Sequence, residues 1–258
     1  MNFHQSSIKH VNRIELNVAD IDRQTDFYHN ILGLQVLKTA PTQTTLIIGE
    51  EDEIVLNKIE NGRFAQMTEA GLFHIAILLD DVTDLGALIK HLFQHNIAIS
   101  GGDHLVSEAI YFSDPEGNGI EVYIDRPADL WHWENEHVNM DTLPLDVSRI
   151  LADSGNTEWT DMPKNAKIGH LHLKAYDLKA SSQFYKQMGF QITSVLPKAL
   201  FLSEQKYHHH IAINTWQSNQ PLRNPELTYG LTAFNIIDEN KKSEVYTTLE
   251  GLKLTINE

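Results

Sequence analysis

The sequence contains no cysteine, which excludes disulfide bonds and thiolate metal sites. A transition metal would therefore have to be held by histidine and carboxylate groups, and a cytoplasmic location is expected. No apolar run approaches the ~20 residues of a membrane helix, and the N-terminal stretch lacks the apolar centre of a signal peptide. These absences predict a protein with no membrane association.

Basic residues are also few: 20 lysines and arginines face 35 aspartates and glutamates, for a net charge of -15 at pH 7. This net charge argues against nucleic acid as a partner, because its phosphates require a basic surface. The 258 residues are 41% hydrophobic and 21% charged, a normal globular composition that suffices for two domains or one repeat-built unit. The 14 histidines are many for this length and supply candidate metal ligands.

A pattern of strand, aspartate, helix and glycine occurs four times. In the first copy an alternating strand reaches Asp20, and the following helix ends at Gly33. The copies begin at Val11, Leu72, Lys167 and Tyr229. Further strand-like runs follow the helices, which predicts an α+β fold of four βαβββ modules.

The fourth copy is expected to be incomplete. Its helix would carry Val245, Tyr246 and Leu249, with Gly251 after it, and the sequence ends at Glu258 before any closing hairpin. The predicted organisation is modules one and two in residues 1–125, a connector in 126–166 with a short helix around Val147–Ala152, and modules three and four in 167–258.

A hairpin at Asp103–Tyr123 closes the second copy, with a tight turn at Asp114–Gly119. Its second strand places Glu121 between Ile120 and Val122. A lone carboxylate there is either a charge on the solvent face of the strand or a ligand for something bound.

The four modules resemble the vicinal oxygen chelate superfamily of glyoxalases, bleomycin-resistance proteins and extradiol dioxygenases. The segments GLFHIAILLDD, DHLVSEAIYFSDPEGNGIEVYIDRP and HHHIAINTW are most similar to its two-domain catechol 2,3-dioxygenase branch, and the resemblance covers nearly the whole chain. It implies that modules pair into half-open mixed-sheet barrels around a divalent metal. The ligands would come from the first and last strands of each module.

Comparison of the copies assigns those ligand positions. The first strands offer Arg13, His74, His170 and Ala233, and the last strands of copies one to three offer Val55, Glu121 and Ala212. Only His74, Glu121 and His170 can bind a metal. Two histidines and one carboxylate suit Fe(II) with open coordination sites, and Mn(II) or Zn(II) are alternatives.

The ligand set also constrains how modules pair. All three ligands meet only if module two shares a barrel with module three, which leaves modules one and four to form a second barrel. If modules one and two paired instead, Glu15 would be the rival third ligand, on the same strand face as Arg13.

Seven further residues are candidates for catalysis or substrate binding. Alternation from Ala212 points His210 into the cavity as an acid–base group, and His172 and Tyr111 are also expected to be catalytic. The expected substrate contacts are His104, His208, Tyr123 and Trp216. For each of them an ordinary core or turn role is the alternative.

The resemblance implies an extradiol dioxygenase that cleaves catechol or a related diol or hydroquinone with O2. A glyoxalase-like lyase or thiol transferase and a metal-free binding protein of the bleomycin-resistance type are the alternatives. The expected partners are a small aromatic substrate and O2. A homodimer is also expected, since exposed barrel edges in this superfamily often pair.

Overall fold

The computed structural model describes residues 2–258, in which the first two modules follow the expected order of elements. The first contains β1 (His10–Val18), α1 (Ile21–Asp26) with a π-helical turn at Phe27–Ile31, β2 (Gln35–Ala40), β3 (Gln43–Ile48) and β4 (Asp52–Lys58). After the short β5 (Arg63–Phe64), the second contains β6 (Gly71–Leu79), α2 (Val82–Gln94), β7 (Ser100–Asp103), β8 (Ser107–Ser113) and β9 (Gly119–Asp125).

The connector and the remaining modules complete the chain. The connector carries a 3-10 turn at Ala128–Leu130, β10 (Trp133–Glu134), β11 (His137–Val138) and α3 (Val147–Ser154). The third module contains β12 (Lys167–Lys174), α4 (Leu178–Gln187), β13 (Gln191–Leu196), β14 (Ala199–Ser203) and β15 (Ile211–Asn214). After a 3-10 turn at Pro225–Leu227, the fourth contains β16 (Thr228–Ile237), β17 (Glu244–Thr247) and β18 (Lys253–Ile256).

The repeated aspartate explains where three helices begin. The side chains of Asp20, Asp81 and Asp177 accept hydrogen bonds from backbone N–H groups in the first turns of α1, α2 and α4. A capping oxygen satisfies a donor that has no partner within the helix. The same signal is present in the fourth copy, where Asp238 accepts a hydrogen bond from the backbone N–H of Asn240.

The prediction of a helix in the fourth copy is wrong. Val245 and Tyr246 lie in strand β17, which pairs antiparallel with β18, and Leu249 lies in the turn before Gly251. The run Val-Tyr-Thr-Thr is rich in β-branched and aromatic residues, which favour a strand. Here that preference and the pairing with β18 outweigh the helical spacing of three apolar residues.

Two curled mixed sheets of eight strands each form the fold, and they confirm the predicted α+β class. One has the order β13-β14-β15-β12-β6-β9-β8-β7, and the other β17-β18-β16-β1-β4-β3-β2 with β5 paired to β16. Modules two and three therefore share one sheet, joined by β6 and β12, and modules one and four share the other. The predicted pairing is confirmed. No helix in residues 2–258 is long and apolar enough to cross a membrane.

A buried carboxylate links the two sheets. Asp52, at the start of β4, is 5% exposed and its Oδ2 accepts a hydrogen bond from the backbone N–H of Ile168 in β12 at 2.6 Å. Burial raises the pKa of Asp52 to about 7, although the Ile168 N–H and the charge of Lys167 oppose the shift. The native state therefore holds this proton more tightly than the unfolded chain does, and stability falls as the pH rises from about 4 to about 7.

The variant Asp52→Asn is expected to be more stable than the unmodified protein at pH 8, with a free energy of unfolding about 1–2 kcal/mol higher. Asparagine keeps an acceptor for Ile168 and carries no charge, while its buried amide N–H groups offset part of the gain. Urea unfolding between pH 4 and pH 8 measures the effect, which should shrink as the pH approaches 4. A gain that is the same at both ends of the range would contradict the assignment.

Candidate metal centre and cavity

Three buried side chains meet on neighbouring strands of the sheet shared by modules two and three. Strand β6 lies between β9 and β12, and the register places Glu121 and His170 on either side of Ala76. His74 lies two residues from Ala76 on β6, and therefore on the same face of the sheet. The module repeat thus brings all three predicted ligands together although nearly a hundred residues separate the two histidines.

The donor atoms lie close enough to share one ion. Oε2 of Glu121 is 2.8 Å from Nε2 of His74 and 3.3 Å from Nε2 of His170, and the two Nε2 atoms are 3.4 Å apart. Donors that bind one ion at about 2.1 Å and at right angles would be about 3.0 Å apart. Two imidazoles and one carboxylate are also the donor types that Fe(II), Mn(II) and Zn(II) accept. The residues present therefore fit a divalent transition metal.

The ionisation of these groups suits metal binding. Burial alone would raise the pKa of Glu121, but the charges and hydrogen bonds of His170 and His74 lower it well below its usual range. Burial lowers the pKa of His170 to about 4, against the attraction of Glu121. At neutral pH the site offers an ionised carboxylate and a neutral imidazole at His170, which are the forms that bind metal.

Tyr111 and His104 lie beside the candidate metal centre and line the cavity. Tyr111 is opposite Glu121 in the pairing of β8 with β9, and its hydroxyl contacts Nε2 of His104. Nδ1 of His104 is 2.8 Å from the carbonyl oxygen of Asp141, which can only accept a hydrogen bond. In the neutral ring Nδ1 therefore carries the proton, and Nε2 accepts from the Tyr111 hydroxyl.

His172 and Trp216 form another part of the cavity wall. The His172 ring lies 4.7 Å from that of His74 and 5.6 Å from that of Trp216, between ring centroids. Asn214 Nδ2 is 3.0 Å from Nε2 of His172 and fixes the orientation of the ring. The indole N–H of Trp216 donates to the carbonyl oxygen of Pro197 at 2.9 Å, and 43% of Trp216 is exposed.

The expected orientation of His208 and His210 is wrong. Residues 208–210 precede β15, so strand alternation does not extend to them. His210 is buried away from the cavity, and its Nε2 donates to the carbonyl oxygen of Phe3 at 2.9 Å. His208 lies 2.7 Å from Asp125 and also does not reach the cavity, whereas His209 lines it with its ring 4.0 Å from that of His170.

Tyr123 is likewise not placed to touch a substrate. It is fully buried, its hydroxyl lies 2.7 Å from that of Tyr207, and it does not line the cavity. Its ring packs against Gly169 and His170. The residue therefore supports the strand that carries His170, in contrast to the expected substrate contact.

Glu15, the rival ligand, lies in the other sheet. Its Oε1 is 3.1 Å from Nη2 of Arg13, and its Oε2 accepts a hydrogen bond from Asn57 at 3.1 Å. Within residues 2–258, His74, Glu121 and His170 are the group of histidine and acidic side chains close enough together to hold an ion. The alternative pairing and its ligand are therefore excluded.

The cavity above the candidate metal centre has a volume of about 440 Å³, within the range typical of small-molecule sites. The connector contributes Met140, Asp141 and Thr142 to its wall. The sequence pattern did not predict this contribution. Leu143 holds this segment in position by two backbone hydrogen bonds with Asp103, of 2.8 and 2.9 Å. The connector thus forms part of the wall of a site whose candidate metal ligands all come from the sheet.

Comparison with known proteins places the chain in a family. The family model described as the glyoxalase/bleomycin resistance protein/dioxygenase superfamily matches residues 8–122. Catechol-2,3-dioxygenase of Bacillus subtilis (strain 168) is 37% identical over 235 residues, which cover 88% of this chain and 82% of that protein. The chain belongs to the glyoxalase/bleomycin resistance protein/dioxygenase superfamily.

Two more distant relatives carry other names. Glutathione transferase FosA of Serratia marcescens is 24% identical over 121 residues, which cover 47% of this chain and 84% of that protein. The crystal structure of glyoxalase I from Zea mays has a TM-score of 0.58 at 14% identity and covers 96% of this chain and 92% of its own. At that identity the likeness shows the shared fold alone.

Proposed function

We propose that the protein is a metal-dependent extradiol dioxygenase that opens the ring of catechol or a related diol or hydroquinone with O2. The observation that carries the proposal is a buried cluster of two histidines and one carboxylate on the wall of a cavity. Ala212 occupies the fourth ligand position implied by the repeat, so positions on the metal would remain free for a substrate. The relative named catechol-2,3-dioxygenase, matched over 88% of the chain, supports the same activity.

His74, Glu121 and His170 would hold Fe(II), with Mn(II) and Zn(II) as the alternatives. Bound Fe(II) would supply the redox chemistry that couples a coordinated diol to O2. The surrounding cavity would keep bulk water away from the reacting ring.

The cavity residues would bind the diol and handle its protons. Tyr111 lies next to Glu121 and can hydrogen-bond a diol oxygen, with His104 orienting its hydroxyl. His209 lines the cavity beside the candidate metal ligands and is placed to take up a proton from the diol, whereas His172, whose Nε2 accepts a hydrogen bond from the Asn214 amide, would help to orient the diol. The acid–base role expected of His210 is better assigned to His209, because His210 is hydrogen-bonded to Phe3 outside the cavity.

Anaerobic addition of Fe(II) to metal-free protein is expected to load one ion per chain. Catechol and air should then give a yellow ring-cleavage product with consumption of one O2 per catechol. Metal analysis, absorbance and an oxygen electrode measure the outcome, and the Zn(II)-loaded protein is the control, since Zn(II) has no redox chemistry. A fully Fe(II)-loaded protein that consumes no O2 with catechol or hydroquinone would refute the proposal.

A glyoxalase-like lyase or thiol transferase is the second candidate, favoured by the similarity to glutathione transferase FosA over 47% of the chain. That chemistry would use the metal as a Lewis acid and needs no O2. The same Fe(II)- and Zn(II)-loaded samples, supplied with a thiol and an electrophile under argon, separate the two activities. Failure to bind any metal would favour a binding protein.

A further inference from the structure

A chain of hydrogen bonds leads from the cavity wall to the protein surface. Nδ1 of His209 lies 2.8 Å from Nδ1 of His208, and Nε2 of His208 lies 2.7 Å from Oδ1 of Asp125, the last residue of β9. His209 lines the cavity, His208 is fully buried, and the Asp125 side chain is 22% exposed. Neither His208 nor Asp125 lines the cavity, so the function proposed above gives no role to either.

The carboxylate of Asp125 fixes the direction of both hydrogen bonds. An ionised aspartate can only accept, so Nε2 of His208 carries a proton and donates to Asp125. In a neutral imidazole one nitrogen donates and the other accepts, so Nδ1 of His208 is an acceptor. Nδ1 of His209 must then carry the proton of the hydrogen bond between the two rings, which leaves a lone pair on Nε2 of His209.

The surroundings of His208 favour its neutral form. Its ring is fully buried and packs on that of Tyr207, with the centroids 4.0 Å apart. It also lies 6.3 Å from the ring of His170, so a divalent ion held there would repel an imidazolium. The attraction of Asp125 opposes this repulsion, but solvent at the partly exposed carboxylate weakens it. A charged His208 would donate at Nδ1 as well, and the proton of His209 would then lie on Nε2.

The free nitrogen of His209 is the one that a ligand in the cavity can reach. Nδ1 is occupied by His208, whereas Nε2 has no hydrogen-bond partner among residues 2–258 and is not enclosed by protein atoms. The His209 ring lies 4.0 Å from that of His170 and 4.9 Å from that of Phe201, between centroids. These two rings and the hydrogen bond to His208 hold the imidazole in one orientation.

We infer that His208 and Asp125 are positioning residues that fix the tautomer of His209, so that the lone pair on its Nε2 faces the cavity. The inference rests on the proposed function, because this lone pair is needed only if His209 takes up a proton from a bound diol. In the other tautomer Nε2 would already carry a proton and could not accept one. In the serine proteases, loss of the aspartate that sets the histidine tautomer lowers kcat by about 10⁴-fold. Here the carboxylate acts through a second histidine.

Nitrogen NMR of the Zn(II)-loaded protein tests the tautomer without any turnover. Zn(II) has a filled d shell and leaves the spectrum undisturbed, and the couplings between ring nitrogens and ring protons distinguish a protonated nitrogen from an unprotonated one. The variant His209→Gln identifies the signals of His209 by their loss. At neutral pH we expect a protonated Nδ1 and an unprotonated Nε2 in His209. A protonated Nε2 would overturn the inference.

The variant Asp125→Asn tests whether the carboxylate sets this tautomer. An amide can donate as well as accept, so both tautomers of His208, and with them both tautomers of His209, should become populated in the spectrum. With Fe(II), catechol and O2 we expect kcat to fall at least about tenfold, while KM and the Fe(II) affinity change less than about twofold. An unchanged tautomer of His209, an unchanged kcat or a loss confined to KM would contradict the assignment.

Glu108→Gln is the matched control for Asp125→Asn. Glu108 is a buried carboxylate opposite Ile124 in the pairing of β8 with β9, next to Asp125 in sequence register, and it does not line the cavity. Its replacement should leave kcat and the signals of His209 unchanged. A loss of kcat as large as that of Asp125→Asn would show general damage to the sheet and would overturn the inference.

The spectrum and the turnover separate this inference from the proposed function. If the expected tautomer of His209 is observed and the unmodified Fe(II)-loaded protein consumes no O2, the dioxygenase proposal fails and the tautomer assignment stands. If O2 is consumed and Nε2 of His209 carries the proton, the dioxygenase proposal stands and the role of His208 and Asp125 is wrong.

Discussion

Replacement of Glu121 by glutamine is expected to lower the affinity for Fe(II) by at least about a hundredfold and to reduce ring cleavage below detection, since loss of mere supporting groups around metal ligands already costs ~10–100-fold. Glu121 is the one charged donor of the three, and its carboxylate is held within 3.3 Å of both histidine Nε2 atoms. Glutamine has nearly the same shape and no charge, so the change removes the electrostatic attraction for a divalent ion. Competition with a coloured chelator measures the affinity, and O2 uptake measures the activity.

Glu108→Gln is the matched control for that variant. Glu108 is also a buried carboxylate of the same hairpin, but it pairs with Arg126 at 3.0 Å and with Arg149, and it does not line the cavity. Its replacement should cost stability through the lost ion pairs and leave the Fe(II) affinity unchanged. The metal assignment would be untenable if Glu121→Gln bound Fe(II) as well as the unmodified protein, or if both variants lost affinity equally.

The positions of the candidate ligands could be predicted because the resemblance to the superfamily implied ligands on the first and last strands of each module, and the repeat located those strands in the sequence. Strand alternation gives the face on which His74 and Glu121 lie, and the module order gives the strand that must lie beside theirs. One requirement, that the two histidines and the carboxylate meet, then selected the pairing of modules two and three. The sheet order in the structure agrees with that selection.

Residues 208–210 show where alternation stops being informative. His210 is only one residue before β15, yet the chain there leaves the strand path and His209 faces the cavity. Nothing in the local pattern marks that boundary, because three consecutive histidines look alike in either phase. The hydrogen bonds from His210 to Phe3 and from His208 to Asp125 decide the outcome, and they join distant segments.

Tyr123 and the connector show a second kind of limit. Alternation places Tyr123 on the same strand face as Glu121, but Tyr207 and Gly169 cover it. Asp141 reaches the cavity because Leu143 pairs with Asp103, a contact across 40 residues of chain. Whether a side chain such as Tyr123 is covered by other residues, and which path a long connector takes, depend on tertiary packing. The periodicity of the sequence does not encode that packing.

The buried position of Tyr123 leads to the largest expected effect on stability. A Cβ atom added at Gly169 would lie 2.0 Å from the hydroxyl oxygen of Tyr123 and 2.6 Å from its Cζ. Tyr123 is fully buried and its hydroxyl is bound to Tyr207, so the ring has no free space to move into. We expect Gly169→Ala to lower the free energy of unfolding by about 3 kcal/mol or more. Because Gly169 precedes His170 in β12, displacement of this strand should also move His170 and weaken the binding of Fe(II).

Two comparisons separate this packing effect from the conformational cost of losing a glycine. Gly117→Ala, in the hairpin turn, meets no atom within 4 Å and has φ of +88°, so it should cost only about 1–2 kcal/mol of backbone strain. In a Tyr123→Leu background the added methyl at Gly169 has room, and Gly169→Ala should then cost much less than it does alone. Urea unfolding of the four proteins in this cycle, with Fe(II) affinity as a second readout, measures the coupling. Additive effects, or a Gly169→Ala cost no larger than that of Gly117→Ala, would show that Tyr123 does not hold the strand of His170 in place.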